Sequence, residues 1–334
     1  MNDFYIRNVT PEDVDELFAL SKLVNFINLP SDKSLIEKKV TASFKSFKDP
    51  NSDLSKNWYI FVLVERATDK IIGVSMIHAQ HGTETEPHFY LKVDYEQKFS
   101  QTINTGFTHG TLKLGLDNDG PTEIGGLVLH PKYRKLKLGK ALSFVRFLYI
   151  ANQPKRFKEV IHTELMPPLD KNGNAPLWEA IGRRFMNMGY KEADILSRNN
   201  KEFILSLFPS ENIYMTLLPL EAREAIGKVG KETKPVQSML ESIGFEYTNE
   251  VDPFDGGPHY RARQERIQTI QETKNVEVKI NNSIDQTKRY LVYVPDKDYD
   301  FRVELVEGKS EGNYLEVSNE YAELKGLKVS CVHI

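Results

Sequence analysis

The sequence predicts an α+β fold, in which helices flank a mixed sheet, with a helical insertion and a small all-β appendage at the C-terminal end. The first 200 residues alternate between strand-like and helix-like patterns, which is typical of a sheet covered by helices. A polar, helix-compatible stretch follows and is broken by Pro209 and Pro219. From Thr287 onward, short apolar runs alternate with turn residues. We therefore predict three consecutive segments, at 1–200, 201–280 and 281–334.

The first elements are a strand and a helix. Residues 4–7 have the composition of a strand. Thr10 can cap the helix that follows, and Pro11 suits its first position. Glu12 and Asp13 favour the positive end of the helix dipole.

A hairpin and a further strand come next. Residues 58–65 form an apolar run rich in β-forming residues, and residues 71–80 return after a turn. Residues 88–95 indicate another strand. Residues 124–129 predict the strand that leads into the most informative part of the chain.

Two more elements complete the first segment. Residues 160–165 alternate between apolar and polar side chains, which predicts a short strand. Residues 176–188 predict a helix with a proline near its start and a glycine just past its end. Its Trp178 and Phe185 follow helical spacing with Ile181, so we expect these two residues in the core.

The composition excludes several classes of protein. The chain has 334 residues, of which 40% are hydrophobic and 27% charged, and its net charge of −3 gives no global attraction to nucleic acid or membranes. Its polar start is unlike a signal peptide, and no apolar run approaches the roughly 20 residues of a membrane helix. The one cysteine, Cys331, cannot form an internal disulfide, and the Cys/His spacing predicts no metal site. We expect a cytoplasmic protein.

Residues 122–150 carry the strongest functional signal. An apolar strand runs into Pro131, a basic turn and a helix opened by Gly139. Backbone N–H groups at a helix N-terminus attract phosphate oxygens, and Lys and Arg side chains can add charge-assisted hydrogen bonds. The pattern therefore favours a phosphate-binding turn, and the alternative is an ordinary strand–turn–helix with solvated basic residues.

The stretch LVLHPKYRKLKLGKAL at 127–142 resembles the acyl-CoA signature of the GCN5-related N-acetyltransferase superfamily. The resemblance implies a mixed sheet splayed between its central strands, with acyl-CoA in the splay and a core at 1–200. Lys137 stands where the signature has its middle glycine. The implied cofactor-binding residues are Leu127, Val128, Leu129, Arg134, Lys135, Leu136, Lys137, Leu138, Gly139 and Lys140.

Further motifs narrow the resemblance to the arginine/ornithine succinyltransferase family, over nearly the full chain. They lie at 169–178, 181–186, 254–258 (FDGGP) and 301–305. The resemblance implies transfer of a succinyl group from succinyl-CoA to the α-amine of arginine or ornithine in arginine catabolism, without a permanently bound cofactor. It also implies an assembly of more than one chain, either a homo-oligomer or a pair with a homologous subunit.

The FDGGP motif supplies the substrate-binding candidates Asp255, Gly256 and Gly257. Asp255 could bind the substrate guanidinium, or it could cap the turn, because Asp before Gly-Gly is a common turn device. The two glycines would serve close backbone approach or a positive φ.

Two departures from the family pattern concern the expected active site. Gly230 stands where the family has a histidine proposed as proton donor, and Met166 stands where it has an arginine. Three interpretations remain open: another group or water relays the proton, the enzyme uses a different amine or acyl donor, or the chain is a partner subunit with little activity. A sensor that binds acyl-CoA without transferring the acyl group is a further alternative.

His162 and Glu164 are the catalytic candidates. Strand alternation places both on one face, where a histidine–carboxylate pair could act as an acid–base unit. The alternative is a satisfied polar pair on a half-exposed strand. We assign structural or surface roles to four more histidines: His78, His81, His88 and His109.

Overall fold

The structure is a computed structural model that describes residues 3–23, 29, 31–197 and 200–334. The strands are β1 (Phe4–Asn8), β2 (Trp58–Glu65), β3 (Lys70–His78), β4 (His88–Ser100), β5 (Thr105–Asp117), β6 (Thr122–Leu129), β7 (Val160–Glu164), β8 (Ile213–Tyr214), β9 (Glu246–Val251), β10 (Pro258–Arg263), β11 (Lys274–Ile280), β12 (Lys288–Val294), β13 (Arg302–Glu311), β14 (Tyr314–Val317) and β15 (Lys328–His333). The α-helices are α1 (Val14–Ser21), α2 (Lys33–Lys48), α3 (Leu138–Asn152), α4 (Pro176–Ala180), α5 (Gly182–Met186), α6 (Tyr190–Ser197), α7 (Glu202–Leu207), α8 (Leu220–Ala225), α9 (Lys234–Glu241) and α10 (Gln268–Gln271). Within the described residues, no helix combines the length and the apolar character needed to cross a membrane.

The α+β prediction is confirmed, and the strands expected in the first segment are present as β1, β2, β3, β4, β6 and β7. The predicted first helix begins with a 3-10 turn at Pro11–Asp13 and continues as α1. The Asp13 carboxylate accepts a hydrogen bond from the Thr10 backbone N–H at 2.7 Å and pairs with buried Arg7 at 2.6 Å. The predicted start of the helix is therefore capped by a hydrogen bond, and the ion pair with Arg7 links it to β1.

The chain divides into two compact units. Unit 1 comprises Met1–Gln80, Thr122–Glu159 and Arg263–Ile334, and unit 2 comprises His81–Pro121 and Val160–Ala262. This division is discontinuous and differs from the three consecutive segments that the sequence predicts. In particular, the C-terminal strands do not stand apart, because β13 pairs with β1.

In unit 1, strands β13, β1, β2, β3 and β6 lie side by side, and α3 packs on β2, β3 and β6. The C-terminal strands form a closed barrel, since β12 pairs with both β13 and β15 and completes the order β12-β15-β11-β14-β13. The predicted appendage is therefore all-β, but it begins with β11 rather than at residue 281. Its buried side chains include Val278, Val292 and Leu315.

In unit 2, the strand order is β7-β10-β9-β4-β5-β8. Strands β4 and β5 form a long hairpin, paired from His88 with Asp117 to Ser100 with Thr105. The sequence did not predict β5. The expected helical insertion is also less helical than predicted, because within 201–233 the α-helices are the short α7 and α8, with β8 between them.

The helix expected at 176–188 is broken into α4 and α5 at Ile181, whose φ of −123° and ψ of −74° are not helical. A Cβ on Gly182 would lie 2.3 Å from the Trp178 indole, so the tight approach of the two helices requires glycine. Trp178 is buried as predicted. The prediction for Phe185 was wrong: it is 54% exposed, because α5 leaves the direction of α4.

Candidate active site

The basic turn of unit 1 has the form that the sequence predicts. Residues Pro131–Leu136 make a 3-10 segment, and α3 begins directly after Lys137. The side chains of Arg134, Lys135, Lys137 and Lys140 are exposed. No side chain caps the start of α3. The turn therefore presents cationic side chains beside a helix N-terminus, where an anion is favoured.

The two special backbone positions of this turn have different causes. Lys137 adopts a left-handed conformation, with φ 58° and ψ 17°, which explains why a glycine suits this position. Gly139 is not demanded by packing, because a Cβ there would meet no described atom within 4 Å. The absent side chain instead leaves open space over the first turn of α3.

Strand β6 carries a β-bulge at the residues implied in acyl-CoA binding. Ser75 of β3 lies opposite both Gly126 and Leu127, and Gly126 has a φ of 57°. Leu127 and Leu129 are half-buried, whereas Val128 is buried. A bulge re-aims backbone N–H groups and is frequent beside active sites.

Arg146 of α3 supports this bulge and was not predicted from the sequence. It is 2% exposed and donates hydrogen bonds to the carbonyl of Gly125 at 3.3 Å and to the carbonyl and hydroxyl of Ser143 at 2.9 and 2.7 Å. These acceptors are neutral, and burial lowers the pKa of the Arg146 guanidinium. The Arg146 guanidinium thus holds the carbonyl of Gly125, the residue next to the bulge, in place.

In unit 2, three buried imidazoles surround the carboxylate of Glu164. Its Oε1 lies 3.6 Å from Nε2 of His162, 3.7 Å from Nδ1 of His88 and 3.8 Å from Nε2 of His259. His162 and Glu164 lie on β7, His88 on β4 and His259 on β10. The shared face of His162 and Glu164 agrees with the alternation of the strand.

Two members of this cluster were missed by sequence reasoning. His88 is 1% exposed and faces the carboxylate, so of the structural or surface role expected for it the surface alternative was wrong, and His259 was not singled out. The three histidines come from strands far apart in the sequence, and no spacing signal links them. His88 and His259 each follow a proline, in EPH and GPH, but this shared local sequence does not indicate that the two side chains lie close together.

The protonation of the cluster follows from burial and from one guanidinium. Burial lowers the pKa of His259 to about 3 and that of His88 well below its usual range, so both rings are neutral at pH 7. Nε of Arg261 donates to Nδ1 of His162 at 3.4 Å, which leaves the ring hydrogen on Nε2, facing Glu164. Because the Glu164 side chain is 32% exposed, the carboxylate can exchange protons with solvent.

The FDGGP motif forms a turn with two carboxylates. Oδ1 of Asp252 accepts from the backbone N–H groups of Phe254 and Asp255 at 2.7 and 3.0 Å, and Oδ1 of Asp255 accepts from that of Gly257 at 2.7 Å. Asp255 therefore caps the turn, and its Oδ2 lies 3.5 Å from the Tyr190 hydroxyl.

Burial raises the pKa of Asp255 to about 7 and that of Asp252 well above its usual range, and the charge of Glu164 raises both further. Carboxylates this close together repel one another when ionised, which raises their pKa values, so a bound cation would stabilise their charged forms. The two glycines of the motif act through the backbone: Gly256 has a φ of 80°, and a Cβ on Gly257 would lie 2.5 Å from the Leu165 carbonyl oxygen.

Gly230 also has a packing role. Its N–H donates to the carbonyl of Met166 at 2.9 Å, so the residues at the two departures from the family pattern are in direct contact.

Comparison with known proteins agrees with this architecture. Residues 4–269 match the family model described as "Arginine N-succinyltransferase beta subunit". The arginine N-succinyltransferase of Yersinia enterocolitica is 29% identical over 96% of this chain and 94% of its own length. The arginine N-succinyltransferase subunit beta of Pseudomonas aeruginosa is 33% identical over 86% of this chain and 85% of its own.

A solved structure shares the whole fold. The arginine/ornithine succinyltransferase subunit AI of Pseudomonas aeruginosa has a TM-score of 0.85 and 26% identity, and the match covers 100% of this chain and 99% of that one. The acyltransferase architecture that the sequence predicts is thereby confirmed. The chain belongs to the arginine N-succinyltransferase family.

Proposed function

We propose that the chain transfers a succinyl group from succinyl-CoA to the α-amine of arginine or ornithine, as a step of arginine catabolism in the cytoplasm. The observation that carries this proposal is the family match over residues 4–269. The family is one of acyltransferases, for which an acyl-CoA is the co-substrate and no cofactor needs to stay bound.

For the donor, we assign the CoA pyrophosphate to the turn at 134–140. Its support is the exposed cationic side chains, the uncapped start of α3 and the open space over Gly139. We assign the acyl-bearing part of the donor to Leu127, Val128 and Leu129, because the bulge at Gly126 and Leu127 interrupts the ladder at the start of this stretch. An N–H at this position would stabilise the oxyanion of the tetrahedral intermediate.

For the acceptor, we assign the cationic group of the amino acid to Asp255. Its pKa of about 7 reflects a carboxyl that burial and Glu164 hold partly protonated, and a guanidinium would favour the charged form. Gly256 and Gly257 would shape the backbone of that site rather than contact the substrate through side chains.

The chemistry is direct acyl transfer. The neutral α-amine attacks the thioester carbonyl carbon, a C–N bond forms, and the C–S bond then breaks to release CoA as a thiolate, which takes a proton from water. The nitrogen must lose a proton, and Glu164 is the group that we propose accepts it. His162 would help to orient Glu164, since its Nε2 lies 3.6 Å from Oε1 of that residue and Arg261 holds the ring through Nδ1. A carboxylate near a polarising imidazole suits general base catalysis.

A second candidate is a partner subunit with little activity of its own. Gly230 favours it, because glycine cannot carry the proton that the family histidine is expected to move. One relative is named as a subunit, "subunit beta". The long β4–β5 hairpin of this chain also exposes apolar side chains near its tip, at Tyr95, Phe99, Ile103 and Phe107. We propose that this arm binds a second copy or a homologous subunit.

A thiol-release assay with the purified chain tests the function. Succinyl-CoA is offered with arginine, with ornithine and with other amino acids, and acetyl-CoA is the parallel donor. We expect release with succinyl-CoA and arginine, and a loss of kcat of roughly 100- to 10,000-fold in Glu164→Gln, the range of general base catalysis. Glu246→Gln, which changes an exposed glutamate of β9, is the matched control. No release with any amine, while calorimetry shows CoA binding, would favour the partner subunit.

A further inference from the structure

We propose that His88, His162, His259 and Glu164 form a binding site for one divalent transition-metal ion of the zinc type. The proposal concerns binding and goes beyond succinyl transfer, which requires no metal: an ion coordinated by Glu164 would occupy the proposed proton acceptor and would inhibit transfer. It rests on the distances among four potential ligand atoms, on the burial of the three imidazoles and on their missing hydrogen-bond partners.

The distances suit a small cation. The four ligand atoms all lie within 4.8 Å of one another, and the carboxylate oxygen lies 3.6 to 3.8 Å from each imidazole nitrogen. Ligand atoms at about 2.0–2.2 Å from a tetrahedral zinc ion stand about 3.4 Å apart. Movements of a few tenths of an ångström would therefore bring the three carboxylate–imidazole contacts to tetrahedral spacing, and the imidazole nitrogens, which lie within 4.8 Å of one another, would have to close in as the metal binds.

The three imidazoles are buried, and among the described residues at least one ring nitrogen of each has no hydrogen-bond partner. His162 and His259 are 0% exposed and His88 is 1% exposed. Within the described part of the chain, Nε2 of His162 and both ring nitrogens of His259 have no hydrogen-bond partner. Burying a polar group without a partner costs roughly 1–3 kcal/mol. A metal ion would use the lone pair of Nε2 of His259 and offset part of that cost.

The donor set matches zinc-type ions. Imidazole suits zinc, copper, iron and nickel, and three His with one Glu leave a net charge of +1 with a divalent ion. Metal ions bind the neutral imidazole through a ring lone pair, and both His88 and His259 are buried away from solvent.

Arg261 opposes the fourth ligand. Its Nε donates to Nδ1 of His162, so the hydrogen on Nε2 must move before that nitrogen can bind a metal. Its guanidinium is held by Asp117 at 2.8 Å and Glu250 at 3.1 Å. We infer that Glu164, His88 and His259 bind first, and that His162 joins once this long hydrogen bond gives way.

The test uses the full chain after EDTA treatment. Zn²⁺ is titrated by calorimetry, and Co²⁺ is titrated by visible absorption, because tetrahedral Co²⁺ absorbs far more strongly than octahedral Co²⁺. We expect one ion per chain and the intense bands of a tetrahedral site. His259→Ala and Glu164→Gln should each weaken binding by at least roughly 10- to 100-fold. Circular dichroism checks that both variants are folded.

His109→Ala is the matched control, since His109 lies in unit 2 outside the cluster and contacts Thr216. It should leave binding unchanged. Arg261→Gln removes the competing donor and a positive charge, so it should tighten binding. Absence of calorimetric heat and of Co²⁺ bands, or equal binding by wild type and His259→Ala, would overturn the metal site. Because these readouts are independent of turnover, failure of succinyl transfer would not count against it.

Discussion

Gly230 lies so close to Pro167 that a Cβ at residue 230 would come within 2.9 Å of the Pro167 carbonyl oxygen. That oxygen belongs to the backbone and cannot rotate away. The glycine is therefore required by packing, whatever side chain relatives carry there. Restoring the family histidine in this chain would demand a shift of the segment after β7.

We accordingly expect Gly230→His to lower the free energy of unfolding by about 1–3 kcal/mol, as overpacking does, without raising the rate of succinyl transfer. Gly230→Ala should destabilise the chain in the same direction, because the clash begins at Cβ. Urea denaturation and the thiol-release assay measure the two effects. A faster transfer rate in Gly230→His would contradict the proposal that Glu164 is the base.

Lys137→Gly should stabilise the chain. A lysine at φ 58° is in the left-handed region, which costs a non-glycine residue roughly 1–2 kcal/mol, partly offset by the greater entropy of glycine when unfolded. We expect a net gain of about 0.5–1 kcal/mol in thermal unfolding. If the Lys137 ammonium contacts the CoA phosphates, the KM for succinyl-CoA should rise in the same variant. An unchanged KM would restrict phosphate binding to the other cationic residues.

Asp255→Asn tests recognition of the acceptor. Asparagine keeps an oxygen that can accept from the Gly257 N–H but removes the charge. A hydrogen bond to a charged group contributes about 1.5–3 kcal/mol, so the KM for arginine should rise roughly 10- to 100-fold. The KM for succinyl-CoA should stay the same. Equal arginine KM values in variant and wild type would leave Asp255 with its turn-capping role alone.

The same variant should change the pH dependence of stability. The pKa of Asp255 is about 7 in the folded chain and about 3.8 when unfolded, so the folded state binds more protons between these values. Its contribution is fully present below about pH 4 and is lost as the pH rises through 7. Asp255→Asn stays neutral and should gain stability over wild type across this window, by at most about 1.4 kcal/mol per pH unit. Urea unfolding at pH 4, 5, 6 and 7 measures the difference.

If the β4–β5 arm of unit 2 is an interface, removing its apolar side chains should change the oligomeric state. Phe99→Ser with Phe107→Ser removes two large apolar side chains near the hairpin tip, and sedimentation should show a smaller oligomer than wild type. Phe185→Ser is the control, because it removes a comparably exposed phenylalanine from α5. Identical sedimentation of all three proteins would remove the arm as an interface.

The sequence predicts those elements whose local signals and packing agree. Strand β2 was predicted with its exact bounds, because 58–65 is apolar and rich in β-forming residues. Strand β5 was missed because Gly106, Gly110 and Gly115 weaken its strand pattern. The structure shows what compensates: Gly115 packs under the Tyr90 ring, and a Cβ there would lie 2.5 Å from it. Such cross-strand packing is invisible before the partner strand is known.

The site divides in the same way. The basic turn could be predicted because its residues are contiguous, and His162 with Glu164 because strand alternation relates them. His88, His259 and Arg146 could not be predicted, since each acquires its neighbours only when distant segments come together. Asp252 was also overlooked. An Asp side chain at the start of a turn often accepts a hydrogen bond from the backbone N–H two residues later, as Asp252 does from Phe254.

The barrel of unit 1 also determines how the chain responds to thiol reagents. Its only cysteine, Cys331, lies on β15 between β11 and β12, is fully buried, and has its pKa raised by burial to about 11. A disulfide reagent that detects free CoA will therefore find no thiolate on the folded protein. Slow labelling of Cys331 would instead time the opening of the barrel, so one reagent separates turnover from local unfolding.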